Sequence, residues 1–239
     1  MKNCICVITK QPITTWLDFL NDITAYDVYL LIDDNSINYN FMYGKIYPNI
    51  HFIQINNNDC KKHGFTNSSV TTGLPPIIAW DKSLYYFTKL NQAYDHVWFI
   101  EDDVFFHSEE TLKNVDAKYP DADILVSKCN ENKPGEWLWS RIKINFPPPH
   151  YCAMVCAVRM SKQLLFHIGE YVDENHTLFC IEAMFASIAK KNNLKYVIPD
   201  ELKTIVYQQD WQISEINKTN LYHPLKKIDM HAEIRNVLL

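Results

Sequence analysis

The run Val97-Trp98-Phe99-Ile100-Glu101-Asp102-Asp103-Val104-Phe105-Phe106 constrains this chain most, because three consecutive carboxylates sit inside an otherwise apolar and aromatic stretch. An apolar run of this kind reads as a buried strand. Burying one unpaired carboxylate costs several kcal/mol, and three neighbours also repel one another. The strand must therefore end at a cavity where a cation supplies positive charge, or turn its acids out into solvent. Hard divalent ions such as Mg²⁺ or Mn²⁺ take oxygen ligands, commonly one or two carboxylates together with substrate phosphate oxygens. The two readings are thus a metal–phosphate site and a solvated acidic turn. Alternation along an extended strand puts Glu101 and Asp103 on one face and Asp102 on the other, which makes Asp102 the structural neighbour of the pair.

The chain of 239 residues, 47% of them hydrophobic, is long enough for a substantial core. Its net charge of −5 and scattered basic residues lack the basic stripe that nucleic-acid binding requires. The seven cysteines (Cys4, Cys6, Cys60, Cys129, Cys152, Cys156, Cys180) have neither CxxC redox spacing nor a paired zinc pattern, and read as buried free thiols in a reducing compartment. The first residues enter a strand pattern directly, and no apolar run approaches the ~20 residues of a membrane span. A cytoplasmic location without a membrane anchor is the expectation.

Periodicity predicts strands over 3–9, 26–33, 50–55, 96–101, 122–128 and 150–158, with short strands near 195–198 and 203–207. Helices are predicted over 13–23, 76–92, 108–118, 161–171 and 178–192, with an irregular stretch over 129–148 and a tail from 220 that closes with a helix. Strands alternating with helices imply an α/β fold whose sheet is mixed but mostly parallel and covered on both faces. Ligands of such sheets bind beyond the carboxyl ends of the strands. Three polar clusters fall there: Thr9-Lys10-Gln11, Asp33-Asp34-Asn35-Ser36 and Glu101-Asp102-Asp103. No Gly-rich phosphate loop follows the first strand, so a dinucleotide fingerprint is unsupported.

These clusters, in this order, resemble the GT-A nucleotide-sugar glycosyltransferases. Glu101-Asp102-Asp103 looks like their DxD motif in the form Glu-Asp-Asp, and Asp33-Asp34 lies where many members contact the nucleobase or ribose. Glu182, in Phe179-Cys180-Ile181-Glu182-Ala183-Met184, resembles the acid that often serves as base in inverting members, although Ala183 stands where many relatives carry a second acid. His223, in Leu221-Tyr222-His223-Pro224, resembles the C-terminal histidine that completes the metal site. The resemblance spans roughly residues 3–227, and the compact length is similar to small soluble members, including some of large DNA viruses. It implies a single GT-A-like, Rossmann-related domain, with residues 1–128 as the nucleotide-binding half and 129–239 as the acceptor-binding half.

What the resemblance implies for individual residues is specific. Asp103, Glu101 and His223 would hold Mn²⁺ or Mg²⁺. Thr9, Asp33, Asp34, Lys82, Glu101, Asp102 and Lys226 would contact the nucleotide, and Glu182 would be the catalytic base. Read from the residues themselves, Trp137 and Trp139 either offer flat surfaces to an acceptor sugar ring or plug the core, and Arg159 either orients the acceptor or a phosphate or pairs with a carboxylate for structure alone. The expected partners are a nucleotide-sugar donor, with UDP-sugars favoured, and a glycan or glycoconjugate acceptor, transferred to with inversion. Two rivals stand beside this reading: a sugar nucleotidyltransferase on a related scaffold, and a catalytically silent nucleotide- or glycan-binding module.

Overall fold

The structure, a computed structural model, describes residues 2–69, 76–131 and 144–238. Its centre is formed by β1 (Asn3–Thr9), β2 (Asp27–Ile32), β3 (Ile50–Gln54) and β4 (His96–Glu101). After its first residue, β1 is buried throughout, and so is β2, as expected of strands covered on both faces. Four further strands follow: β5 (Ile124–Leu125), β6 (Cys129–Glu131), β7 (Tyr151–Ala153) and β8 (Ala157–Ser161), with β9 (Tyr196–Val197) near the far edge. The main sheet runs in the order β3-β2-β1-β4-β8-β5-β9, and β6 pairs with β7 separately. β1 through β4 are mutually parallel, whereas β8 runs antiparallel to both β4 and β5. The predicted mixed, mostly parallel sheet is therefore what the chain forms.

Helices cover both faces: α1 (Thr14–Asn21), α2 (Tyr39–Tyr43), α3 (Asn57–Lys62), α4 (Ala79–Tyr85), α5 (Glu109–Lys118), α6 (Lys162–Asn175), α7 (Ile181–Lys191) and α8 (Asp229–Val237). Strand alternation divides the core cleanly. Cys4, Cys6, Ile8, Val97 and Phe99 pack with Trp80, Leu84 and the apolar side of α7. Ile5, Val7, Trp98 and Ile100 pack on the opposite face with Trp16, Leu17, Leu112 and Val115. A third, small cluster of Phe105, Ile216, Tyr222, Leu225 and Ile234 seats the tail and α8 beside the end of β4.

Several elements differ from their sequence-based outlines. The predicted helix over 76–92 begins at Ala79 and finishes as a π-helical turn, Tyr86–Leu90. The predicted strand over 150–158 is two strands, β7 and β8, which belong to different sheets. The strand expected near 203–207 is a single bridge between Ile205 and His223. Among the described residues, no helix is long and apolar enough to cross a membrane.

Of its two readings, Arg159 takes the structural one, a carboxylate partner, and not a place at the acceptor. It lies within β8, fully buried, with Nη1 donating to Asp116 Oδ1 at 2.7 Å and Nη2 to the carbonyls of Tyr119 and Ala122. Asp116 also accepts from Trp98 Nε1, Tyr26 Oη and Asn3 Nδ2, so one carboxylate on α5 ties together β1, β4, β8 and the loop before β2. A strand-end arginine and a helix aspartate looked independent in sequence; the antiparallel placement of β8 brings them together. Removing one partner of a buried pair strands the other charge. Arg159→Met is expected to lower the unfolding free energy in urea by about 3–5 kcal/mol. Combining it with Asp116→Asn should cost clearly less than the sum of the two single changes, as interacting neighbours do.

Candidate active site

The site grows from the end of β4. Beyond Ile100 the strand alternation continues into the acidic triplet. Glu101 follows Val97 and Phe99 toward α4, where Trp80 Nε1 donates to its Oε1 at 2.7 Å. Asp102 follows Trp98 and Ile100 toward α1. There Thr9 Oγ1 donates to its Oδ2 at 2.5 Å, and Trp16 Nε1 donates to its backbone carbonyl at 2.7 Å. Asp102 is thus engaged by its own neighbours and shapes the turn, while Glu101 and Asp103 share a cavity.

Four groups reach that cavity from elsewhere: His223, Glu182, Cys156 and Lys226. The tail pairs with the end of the β4 segment: the amides and carbonyls of Phe105 and Tyr222 exchange 2.9 Å hydrogen bonds, and Leu225 N donates to Asp103 O at 2.7 Å. His223 lies between these anchors. Its Nδ1 is 2.6 Å from the Val206 carbonyl and donates its proton there, leaving Nε2 facing Asp103 Oδ1 at 3.4 Å. The His223–Pro224 peptide is cis. Glu182, in the first turn of α7, also lines the cavity, and Cys156, just before β8, lies beside Glu101. The space they enclose is about 360 Å³. Lys226 lines it too, and also faces an adjoining cavity of about 790 Å³ walled by Gln208, Gln209 and Trp211.

Crowding of acids sets the electrostatics. Burial pushes Glu101 above the ordinary glutamate range; the Trp80 hydrogen bond opposes this and the Asp103 charge adds to it. Glu182 is raised by burial and then by Glu101. Burial also raises Asp102, against the Thr9 hydrogen bond. His223 loses basicity to burial, but Asp103, the Val206 carbonyl and Glu101 more than restore it and hold it above its usual value. A cavity with several carboxylates and one imidazole is a place where a cation is stabilised.

The donor set fits a divalent metal. Asp103 Oδ1 is buried and makes no hydrogen bond, and His223 presents Nε2 with its tautomer set by the bond at Nδ1. Glu101, Cys156 and His223 each offer one ligand atom within 4.8 Å of the other two, and Asp103 adjoins them through His223. Oxygen and imidazole donors of this kind suit Mn²⁺ and related ions.

The residues at the ends of β1 and β2 behave differently from expectation. Lys82 is almost wholly buried and is not poised toward a phosphate; its Nζ meets Asp33 Oδ1 at 2.7 Å and donates to the Asp33 carbonyl at 2.6 Å. Asp34 accepts from Tyr39 Oη, the Ser36 amide and hydroxyl, and Gln11 Nε2, which hold its carboxyl well below the usual range. Both aspartates therefore build a fixed turn beside β1. Trp137 and Trp139 lie outside the described residues.

Sequence reasoning missed Trp80, Ser68 and Cys156 as cavity residues. Trp80 was legible only as a core aromatic of a helix. Cys156 needed the direction of β8, which no local pattern reveals.

No protein-family model matches the chain, and no curated protein matches it. Solved structures do. The galactosyltransferase LgtC, in complex with donor and acceptor sugar analogs, superimposes with a TM-score of 0.51 and 9% identity, covering 99% of this chain and 96% of that one. Mouse xyloside xylosyltransferase 1 gives 0.45 and 11%, covering 83% and 85%. The 4-diphosphocytidyl-2C-methyl-D-erythritol synthase of Anaerococcus prevotii gives 0.47 and 12%, covering 82% and 86%. The structural neighbours are thus GT-A-type glycosyltransferases and a related nucleotidyltransferase, and at these identities the likeness is one of fold.

Asp81 supports one wall of the cavity. It accepts from the Ser68 amide and hydroxyl and from the Ile78 amide, while burial pushes its carboxyl up to about 6. A raised acid favours the fold most where it is protonated in both states. That stability is present below about pH 4 and lost as pH rises through about 6. Urea unfolding of Asp81→Asn across this window should show a flatter pH dependence than the wild type.

Proposed function

We propose that the protein is a metal-dependent glycosyltransferase that moves a sugar from a nucleoside-diphosphate sugar, UDP-linked by preference, to a hydroxyl of a glycan or glycoconjugate acceptor. One observation carries the reading: Glu101, Asp103 and His223, from two distant parts of the chain, converge on one cavity with Glu182 at the carboxyl edge of a GT-A-type sheet. With a divalent cation held there, such a cavity would suit a donor whose leaving group is an anionic diphosphate.

In this reading Asp103, Glu101 and His223 hold Mn²⁺ or Mg²⁺. When bound, the ion supplies positive charge against the diphosphate as its bond to the sugar breaks. Lys226 adds a point charge on the same wall. The Asp33-Asp34 turn, braced by Lys82 and Tyr39, offers a fixed edge for ribose or base, with Thr9 and Asp102 closing the floor. Glu182 takes the proton of the acceptor hydroxyl as that oxygen bonds the anomeric carbon and the diphosphate departs from the opposite side, which inverts the centre. Its raised proton affinity favours this role. The adjoining cavity, with the amides of Gln208 and Gln209 and the ring of Trp211, has the hydrogen-bonding groups and flat apolar surface that a glycan acceptor takes.

Calorimetry with UDP, GDP and CDP, each with and without Mn²⁺, tests the reading. UDP should bind in a Mn²⁺-dependent way, and Asp103→Asn should weaken that binding roughly 10- to 100-fold. An absence of metal-dependent binding for all three nucleotides would overturn it. Release of pyrophosphate from a nucleoside triphosphate and a sugar phosphate would favour a nucleotidyltransferase instead. Glu182→Gln should lower kcat by about 10²–10⁴ with donor affinity unchanged. Proton NMR of the product reports the anomeric configuration, and a retained configuration removes Glu182 from the role of base.

A further inference from the structure

We propose that Cys156 is a thiolate ligand of the metal centre, which makes the centre a mixed oxygen, nitrogen and sulfur site that favours Zn²⁺ and Co²⁺ over Mg²⁺. The inference rests on the proposed reading that this cavity holds a divalent metal, and adds a ligand that changes which metal it prefers.

The register of the sheet provides the first argument. β4 and β8 are antiparallel, with Trp98 opposite Arg159, Phe99 opposite Val158 and Ile100 opposite Ala157. The next pair is Glu101 and Cys156, and the Glu101 amide donates to the Cys156 carbonyl at 2.8 Å. Residues directly opposite on antiparallel strands send their side chains to the same face. The thiol is therefore held beside the Glu101 carboxylate by backbone geometry, independently of any metal.

Proximity of donor atoms is the second argument. The ligand atoms of Glu101, Cys156 and His223 all lie within 4.8 Å of one another. Metal bonds of about 2.0–2.3 Å in a tetrahedral arrangement separate ligand atoms by about 3.5 Å. Closing the difference needs about an ångström of side-chain adjustment, within the reach of a χ1 rotation at Cys156 and Glu101. His223 needs none of its tautomer changed, because Nδ1 already bonds the Val206 carbonyl.

The position of the thiol also separates it from the packing cysteines. Cys4, Cys6 and Cys60 are buried outside the cavity lining, Cys129 and Cys152 do not line it, and Cys180 lines it but is buried with its Sγ 3.9 Å from Glu182, whereas the Cys156 sulfur lies within 4.8 Å of ligand atoms of Glu101 and His223. A thiolate is a soft donor that selects Zn²⁺ and Co²⁺, while Mg²⁺ takes oxygen. The Cys156 proton leaves to solvent as the sulfur–metal bond forms, so no oxidant or reductant is required.

Titration of the full chain with Co²⁺ under reducing conditions tests this. The wild type should develop visible ligand-field bands and a near-ultraviolet sulfur-to-cobalt charge-transfer band that saturate together at one ion per chain. In Cys156→Ser, and equally in Cys156→Ala, the charge-transfer band should disappear while Co²⁺ still binds. Zn²⁺ affinity should fall roughly tenfold or more in both variants, with Mn²⁺ affinity changed far less. Wild-type Co²⁺ binding without the charge-transfer band would overturn the thiolate while leaving the metal site intact. A band that survives in Cys156→Ser but not in Cys180→Ser would assign the sulfur to the other cavity cysteine and overturn it too. No binding of Co²⁺, Zn²⁺ or Mn²⁺ would overturn both the ligand and the metal reading.

Discussion

Backbone pairing between the acidic turn and the tail is the interaction on which the site depends. Phe105 and Tyr222 exchange two hydrogen bonds, and Leu225 reaches back to the Asp103 carbonyl. Between these points His223 has little freedom, and its imidazole meets Asp103. Without that strap the acids at the end of β4 would lack their imidazole partner and would drive one another toward protonation or solvent. The small cluster of Phe105, Ile216, Tyr222, Leu225 and Ile234 secures the strap by burying apolar area that the main core does not cover.

The positions of charge follow one rule across the molecule. Charges that shape the scaffold are paired inside it: Arg159 with Asp116, and Lys82 with Asp33. Groups that face the cavity are left with an unfilled bonding capacity, as at Asp103 Oδ1, or with a shifted proton affinity, as at Glu101 and Glu182. The paired groups fix where the cavity is, and the others define what it can bind.

Much of this was legible in the chain because strands covered on both faces must be apolar throughout. Cys4-Ile5-Cys6-Val7-Ile8 and Val97-Trp98-Phe99-Ile100 declare themselves, and alternation past Ile100 separates Asp102 from its neighbours. The structure has that alternation, with Asp102 on Thr9 and Glu101 on Trp80. What was not legible depends on contacts between remote segments. Nothing local marks β8 as antiparallel, so neither the Arg159–Asp116 pair nor the Glu101–Cys156 pair has a sequence signature. Lys82 illustrates the same limit: a lysine near a helix start looks alike whether it faces water or is buried against an aspartate from another strand.

The tail strap also has a consequence for the order of events during synthesis. The N-terminal parallel strands, including the whole acidic triplet, leave the ribosome long before His223 does, and folding proceeds as segments become available. Until the tail arrives, the sheet can gather its apolar strands but the carboxylates at its edge lack their imidazole partner. The acidic edge is therefore a late-closing seam: the strands that carry its acids can assemble early, yet the cavity is walled on all sides only when the segment around His223 is laid across it.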